Sequence, residues 1–248
     1  MTKAFGARPR LCAIAIAFTL AFITSGCGIH QKDIDFEKQM HDEPAGEASP
    51  EAKSILNNET NPNPVARENI LEAQLDPNTL DPNGYVPKYL LNEALAFFNK
   101  YRSQFRNQNY IAMIDFRQHS GRKRLYVMNL SSGEVVPYMV AHGKNSDSNN
   151  DGLATQFSNS AGSLMSSLGA YMTAETYSGN HGLSLRLDGL QSTNSNARSR
   201  AVVIHPADYV SSGQEKQGRS FGCPALEPRY SRDLIQKLKE GALVYAGY

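Results

Sequence analysis

The composition of this chain breaks at Tyr85, and the break limits where a core can form. Ile29 to Asn83 is poor in aromatics and rich in Glu, Asp, Asn and Pro. Stretches such as "DEPAGEASPEAKS" and "NETNPNP" carry too little apolar surface to offset the chain entropy lost on folding. Residues 27–84 are therefore expected to be a flexible tether, with a short helix compatible with "VARENILEAQL", Val65 to Leu75. From Tyr85 onward, short runs of β-branched and aromatic residues alternate with polar turns, and residues 85–248 are expected to form one folded domain.

Within that domain, "PKYLLNEALAFFNKYRSQF" sets Leu90, Leu91, Ala94, Leu95 and Phe98 at helical spacing. Strands are expected at "YIAMIDF" and "KRLYVMNL", separated by "RQHSGR", and then, after the turn "SSGE", at "VVPYMVAHG". Later strands are expected at "AYMTAET", "LSLRLDGL" and "RAVVIH". "SRDLIQKLKEG" reads as a helix with Gly241 as its C-cap, and "ALVYAG" as a closing strand. The fold class is mainly β with flanking helices. A long polar loop, "KNSDSNNDGLATQFSNSAGSLMSS", interrupts the strands.

The N-terminus bears on compartment. Lys3, Arg8 and Arg10 precede the apolar run "LCAIAIAFTLAFI", Leu11 to Ile23. A basic flank before an apolar run too short to span a bilayer comfortably reads as a signal peptide over residues 1–26, with a buried core helix as the alternative. The following "TSGCG" resembles the lipobox of bacterial lipoproteins, with Thr24 in place of the usual aliphatic residue. That resemblance implies lipidation of Cys27 as the first mature residue. Gly28 lacks the aspartate that commonly retains such proteins in the inner membrane, which implies the periplasmic face of the outer membrane. Net charge is +1, so nothing in the composition points to a nucleic-acid partner.

Of three cysteines, Cys12 leaves with the leader and Cys27 is the expected acylation site, so Cys223 is the remaining free thiol. An exported cysteine without a partner is either an inert buried residue or a reactive thiol. His205 ends the apolar run "VVIH", and Cys223 follows in "GRSFGCPAL". An imidazole beside a thiol takes its proton or pairs with the thiolate. Gly222 permits close backbone approach, and neighbouring N–H groups are candidates to hold an oxyanion.

His205, a fourteen-residue spacer and then Ser220, Phe221, Gly222 and Cys223 resemble the signature of the L,D-transpeptidase catalytic domain, the YkuD-type family of peptidoglycan enzymes. "VAHGKNS", "FSNSAGS" and "HGLSLRL" resemble a divergent branch of it, and "LIQKLKEGALVYAG" resembles the end of that domain. Two positions depart: Phe221 stands where the family usually has His, and Ala225 where it usually has Asn or Arg. The resemblance implies a β-sandwich or barrel. It also implies a thioester on Cys223 formed from tetrapeptide stems, with His205 as base then acid, Ser220 as support, and the N–H groups of Gly222 and Cys223 as the oxyanion site. Release of D-alanine and attack by a second stem's amine then yield 3→3 cross-links, without a cofactor. Resolution by water, giving an L,D-carboxypeptidase, and a catalytically silent peptidoglycan-binding lipoprotein are the alternatives.

By the same resemblance His142, His181, Ser146, Ser163 and Arg186 line the donor groove; the histidines are equally turn residues bonding their own loops. Arg219 is a candidate to fork a substrate carboxylate. His30, His41 and His119 sit in tail or turn sequence. "DSNNDG", Asp147 to Gly152, imitates the start of a calcium loop, but Ser158 stands where the required Glu would be, so it reads as a turn. No close-spaced metal pair is present in the sequence, and no metal site is expected.

Overall fold

A computed structural model describes Met1, residues 46–61 and residues 75–248. The leader over 1–26, Cys27, His30, His41 and all but the last residue of the helix expected at 65–75 lie outside the described residues.

Eight strands form one sheet in the order β3-β2-β1-β8-β4-β5-β6-β7. They are β1 (Tyr110–Asp115), β2 (Leu125–Asn129), β3 (Val135–Tyr138), β4 (Gly169–Gly179), β5 (Gly182–Gly189), β6 (Val203–Pro206), β7 (Ala225–Leu226) and β8 (Leu243–Gly247). Pairing is antiparallel except for β1 with β8 and β6 with β7. Beyond β3 the chain meets β7 through an antiparallel bridge, Val140 to Leu226, and Ala141 N–H donates to the Ala225 carbonyl at 3.0 Å. The sheet therefore nearly closes into a barrel.

Alternation along the strands sorts the core into two clusters. Ile111 and Met113 of β1 face helix α2 (Lys88–Lys100), whose buried Leu90, Leu91, Ala94, Leu95, Phe97 and Phe98 form one stripe. Ala112 and Ile114 face the other side, with Leu185, Leu187, Ile204 and Val244 and with Leu234, Ile235 and Leu238 of α3 (Pro228–Leu238). The expected strands and both expected helices are thus present. The C-cap differs: α3 caps at Lys239, and Glu240 (φ 68°) and Gly241 (φ 90°) then both turn through left-handed backbone.

The tether expectation needs correction for residues 46–61. They carry helix α1 (Pro50–Thr60), which starts on a proline and is capped by Ser49 Oγ accepting from Ala52 N–H at 3.1 Å. Ile55 and Ala52 are buried in the α2-side cluster. Ser49 N–H donates to Asp188 Oδ2 at 3.1 Å, and Glu59 accepts from Lys100 at 2.6 Å. Composition averaged over a long polar segment hides a single amphipathic turn whose partners lie on the domain.

Because Ile55 is fully buried, Ile55→Ala should lower stability by about 2–4 kcal/mol, read as a lower denaturation midpoint. An unchanged midpoint would mean that α1 does not dock.

Candidate functional site

The parallel pairing of β6 with β7 sets the site. Its register places His205 opposite Ala225 and Pro206 opposite Leu226, so Cys223, two residues before Ala225, lies beside β6. Ile204 points into the barrel cluster, so alternation sends Val203 and His205 to the other face. The thiol meets the backbone beside β6: Cys223 Sγ accepts from Val203 N–H at 3.5 Å and donates to the Ala201 carbonyl at 3.7 Å.

Both groups are deeply covered, Cys223 at 3% exposure and His205 at 1%. Burial pushes the thiol up to about 11, against the opposing pull of Val203 N–H and the Arg200 charge. Burial also depresses His205 to about 4; the Pro206 carbonyl opposes this and His181 adds to it. The Pro206 carbonyl accepts from His205 Nδ1 at 2.8 Å, which places the ring proton on Nδ1 and leaves the Nε2 lone pair available. Nε2 is buried and has no hydrogen-bond partner among the described residues. Burial thus favours the neutral thiol and the neutral imidazole, and Sγ rests on the backbone of Val203 and Ala201.

Ser220 and Gly222 shape the turn into the cysteine. Ser220 Oγ donates to the Cys223 carbonyl at 2.6 Å and accepts from Gly222 N–H at 3.1 Å. Gly222 has φ 125°, and a Cβ there would meet the Met165 carbonyl at 2.7 Å, so only glycine fits. One expectation changes: with its N–H committed to Ser220 Oγ, Gly222 offers no free donor to an oxyanion. Cys223 N–H has no acceptor among the described residues.

The groove residues divide. His142 and Ser146 are buried, as Cys223 and His205 are. His142 sits between Arg124, whose Nη2 reaches Nδ1 at 2.7 Å, and Asp147 Oδ2, 3.3 Å from Nε2. Its burial and the Arg124 charge hold it neutral, against the pull of Asp147. The His142 backbone carbonyl accepts from Ser220 N–H at 2.9 Å. Ser146 Oγ accepts from Ser166 N–H at 2.9 Å. The first bond and the Gly143–Ser220 bridge hold the loop after β3 against the Ser220 turn, and the second holds it against the loop before β4. Arg219 Nη1 braces the same loop at the carbonyls of Lys144 and Asp147. Asp147 closes a turn by accepting from Asp151 and Gly152 N–H, both at 2.9 Å.

Ser163, His181 and Arg186 sit nearer the thiol's side. Arg186, opposite Val203, shares its face, pairs with Glu175 at 3.2 Å and lies over the Tyr177 ring. His181, in the β4–β5 turn, packs its ring on His205 with centroids 4.5 Å apart. Ser163 Oγ accepts from Arg200 Nη2 at 3.3 Å.

Arg200 carried no motif and went unread in the sequence. It fastens the loop before β4 by donating to the carbonyls of Ser158 at 2.7 Å and Met165 at 2.6 Å. Nη2 also lies where a Cβ on Gly222 would meet it at 3.0 Å. It is thus a cation beside the turn into Cys223. Ser166 adds a further tie, its Oγ donating to the Gly222 carbonyl at 3.3 Å. Ala225 packs among Met139, Ala141, Ala207 and Val210, which accounts for an apolar residue there. Among the described residues, no group of three or more His, Cys, Asp or Glu side chains is placed to hold a metal ion.

A sequence model of the L,D-transpeptidase catalytic domain matches residues 83–247. No curated protein matches the chain in sequence. Among solved structures, an L,D-transpeptidase from Mycobacterium smegmatis is 12% identical with a TM-score of 0.37, over 56% of this chain and 59% of that one. L,D-transpeptidase 1 from Mycobacterium tuberculosis is 13% identical with a TM-score of 0.34, over 56% and 62%. The helical cell shape determining protein Pgp2 from Campylobacter jejuni is 12% identical with a TM-score of 0.35, over 57% and 48%. The matched part thus spans less than two thirds of each of these chains.

A neutral resting pair has a kinetic signature. Alkylation of Cys223 by iodoacetamide should rise roughly tenfold per pH unit between about pH 6 and pH 9, following the thiolate fraction. A plateau beginning below pH 7 would mark a preformed thiolate–imidazolium pair instead.

Proposed function

The chain belongs to the L,D-transpeptidase catalytic-domain family, and on that premise we propose that it acts on peptidoglycan stem peptides through a thioester at Cys223. The observation that carries this reading is the β6–β7 register, which sets an unpaired thiol beside the strand bearing a histidine with its Nδ1 proton fixed and its Nε2 unpartnered. A disulfide would consume that nucleophile.

Substrate entry must first uncover the thiol, because Cys223 and His205 are both buried. Sγ then leaves Val203 N–H and Ala201 and gives its proton to His205 Nε2. The thiolate attacks the carbonyl carbon between the third stem residue, a diaminopimelate, and the terminal D-alanine. Cys223 N–H is the donor left for the developing oxyanion. The C–N bond breaks, imidazolium returns the proton to the departing amine, and a thioester remains. The Pro206 carbonyl on Nδ1–H favours the transient imidazolium. An acceptor amine attacks next, loses its proton to His205, and the C–S bond breaks as the thiolate takes that proton back.

Transfer must outcompete water, and an oriented amine does so because effective molarities of oriented groups exceed water's own concentration. Incubation of tetrapeptide muropeptide with and without a second stem or a D-amino acid tests the step. Cross-linked or exchanged product should rise with acceptor while free tripeptide falls, and Cys223→Ser should abolish both. Tripeptide alone at saturating acceptor would make the enzyme a carboxypeptidase.

The silent-binder reading is favoured by one observation, the thiol seated on Val203 and Ala201 without a bond to His205. A thiol-reactive β-lactam separates the two: an active enzyme is acylated at Cys223, and a silent module is not.

Export and an N-terminal lipid at Cys27 complete the proposal. Cys27→Ser should move the protein from the membrane fraction to the soluble periplasmic fraction, because the acyl chains supply the membrane affinity. Wild-type protein found unlipidated and soluble would contradict the anchor.

A further inference from the structure

His181 sits in the tight β4–β5 turn between Gly179 and Gly182, far in sequence from the cysteine motif. Its ring meets His205 at 4.5 Å between centroids, with 35° between planes. His205 is buried even though it lies on the face of β6 that points away from the barrel cluster, and its Nε2 has no hydrogen-bond partner among the described residues. Something on that face must shield it from water, and the His181 ring is the aromatic group packed there.

We propose that His181 is a positioning residue for the base: its ring covers His205, keeps water from the imidazole, and holds the ring plane with Nε2 ready for the thiol. This rests on the transpeptidase reading for its purpose, but not for its measurement. A neutral base is what the first step needs, because an imidazolium cannot take the Cys223 proton. The tilted ring contact also limits rotation of the His205 imidazole, while the Pro206 carbonyl fixes Nδ1.

Other groups on neighbouring elements have contacts of their own. Arg186, from β5, is engaged with Glu175 and the Tyr177 ring. Cys223, from the turn before β7, directs Sγ at Val203 and Ala201. Tyr209, after β6, packs on the backbone of Gly218. Helix α3 meets the opposite, Ile204 face with Leu234 and Ile235. Burial also lowers the proton affinity of His181, so both stacked rings are neutral at neutral pH and do not repel.

The test is a pH titration of the His205 imidazole by NMR in the full chain labelled at histidine, with the signal assigned from His205→Gln. His181→Ala, which removes the cover, should move the His205 midpoint upward by about one pH unit toward the free value. His181→Phe, which keeps an aromatic cover without a second imidazole, should leave it where the wild type has it. An unmoved midpoint in His181→Ala overturns the proposal, and so does an equal shift in both variants. A change confined to KM, with the titration fixed, would make His181 a substrate contact instead. Because the titration needs no turnover, it stands or falls separately from thioester formation at Cys223.

Discussion

Two residues of β7 hold this site together. Pairing of Ala225 and Leu226 with His205 and Pro206 brings the turn that carries Cys223 against the strand that carries His205, and the bridge from Leu226 to Val140 closes the sheet beside them. The same ladder that completes the barrel therefore aligns the chemistry. The loop after β3 depends on it too, since Ser220 is bound from both sides by the backbone of His142 and Lys144. A shift of β7 by one residue would turn the Cys223 region to the other face of the sheet.

Burial sets the electrostatic character of the pair. In water a cysteine and a histidine of ordinary pKa lie about two units apart. Here desolvation drives them in opposite directions, the thiol upward and the imidazole downward. A charged thiolate–imidazolium pair is thus disfavoured at rest. Arg200 is the one nearby cation that lowers the thiol, and it does so from a loop it also fastens.

Much of the fold was legible because its elements carry long periodic signals. Helix α2 shows its full buried stripe, and β1, β2 and β8 are apolar runs bounded by turns. β7 was not legible: two residues have no period. Helix α1 escaped because Ala52 and Ile55 are sparse in a polar segment and matter only where Asp188 and Lys100 await it. The cysteine motif stood out through spacing and resemblance. The surroundings of His142 were not legible, because Arg124 and Asp147, which flank its ring, are brought together only by folding. His181 and His205 were both picked out, but their contact was not, since nothing local ties the β4–β5 turn to β6.

The central claim is that Cys223 carries the acyl group. Its most direct measurement is peptide-mapped mass spectrometry of the protein quenched in acid during incubation with tetrapeptide muropeptide. The account predicts a tripeptide acyl group on the peptide containing Cys223, with D-alanine released in equal amount. Released D-alanine with no adduct at Cys223, and with turnover surviving in Cys223→Ser, would contradict it.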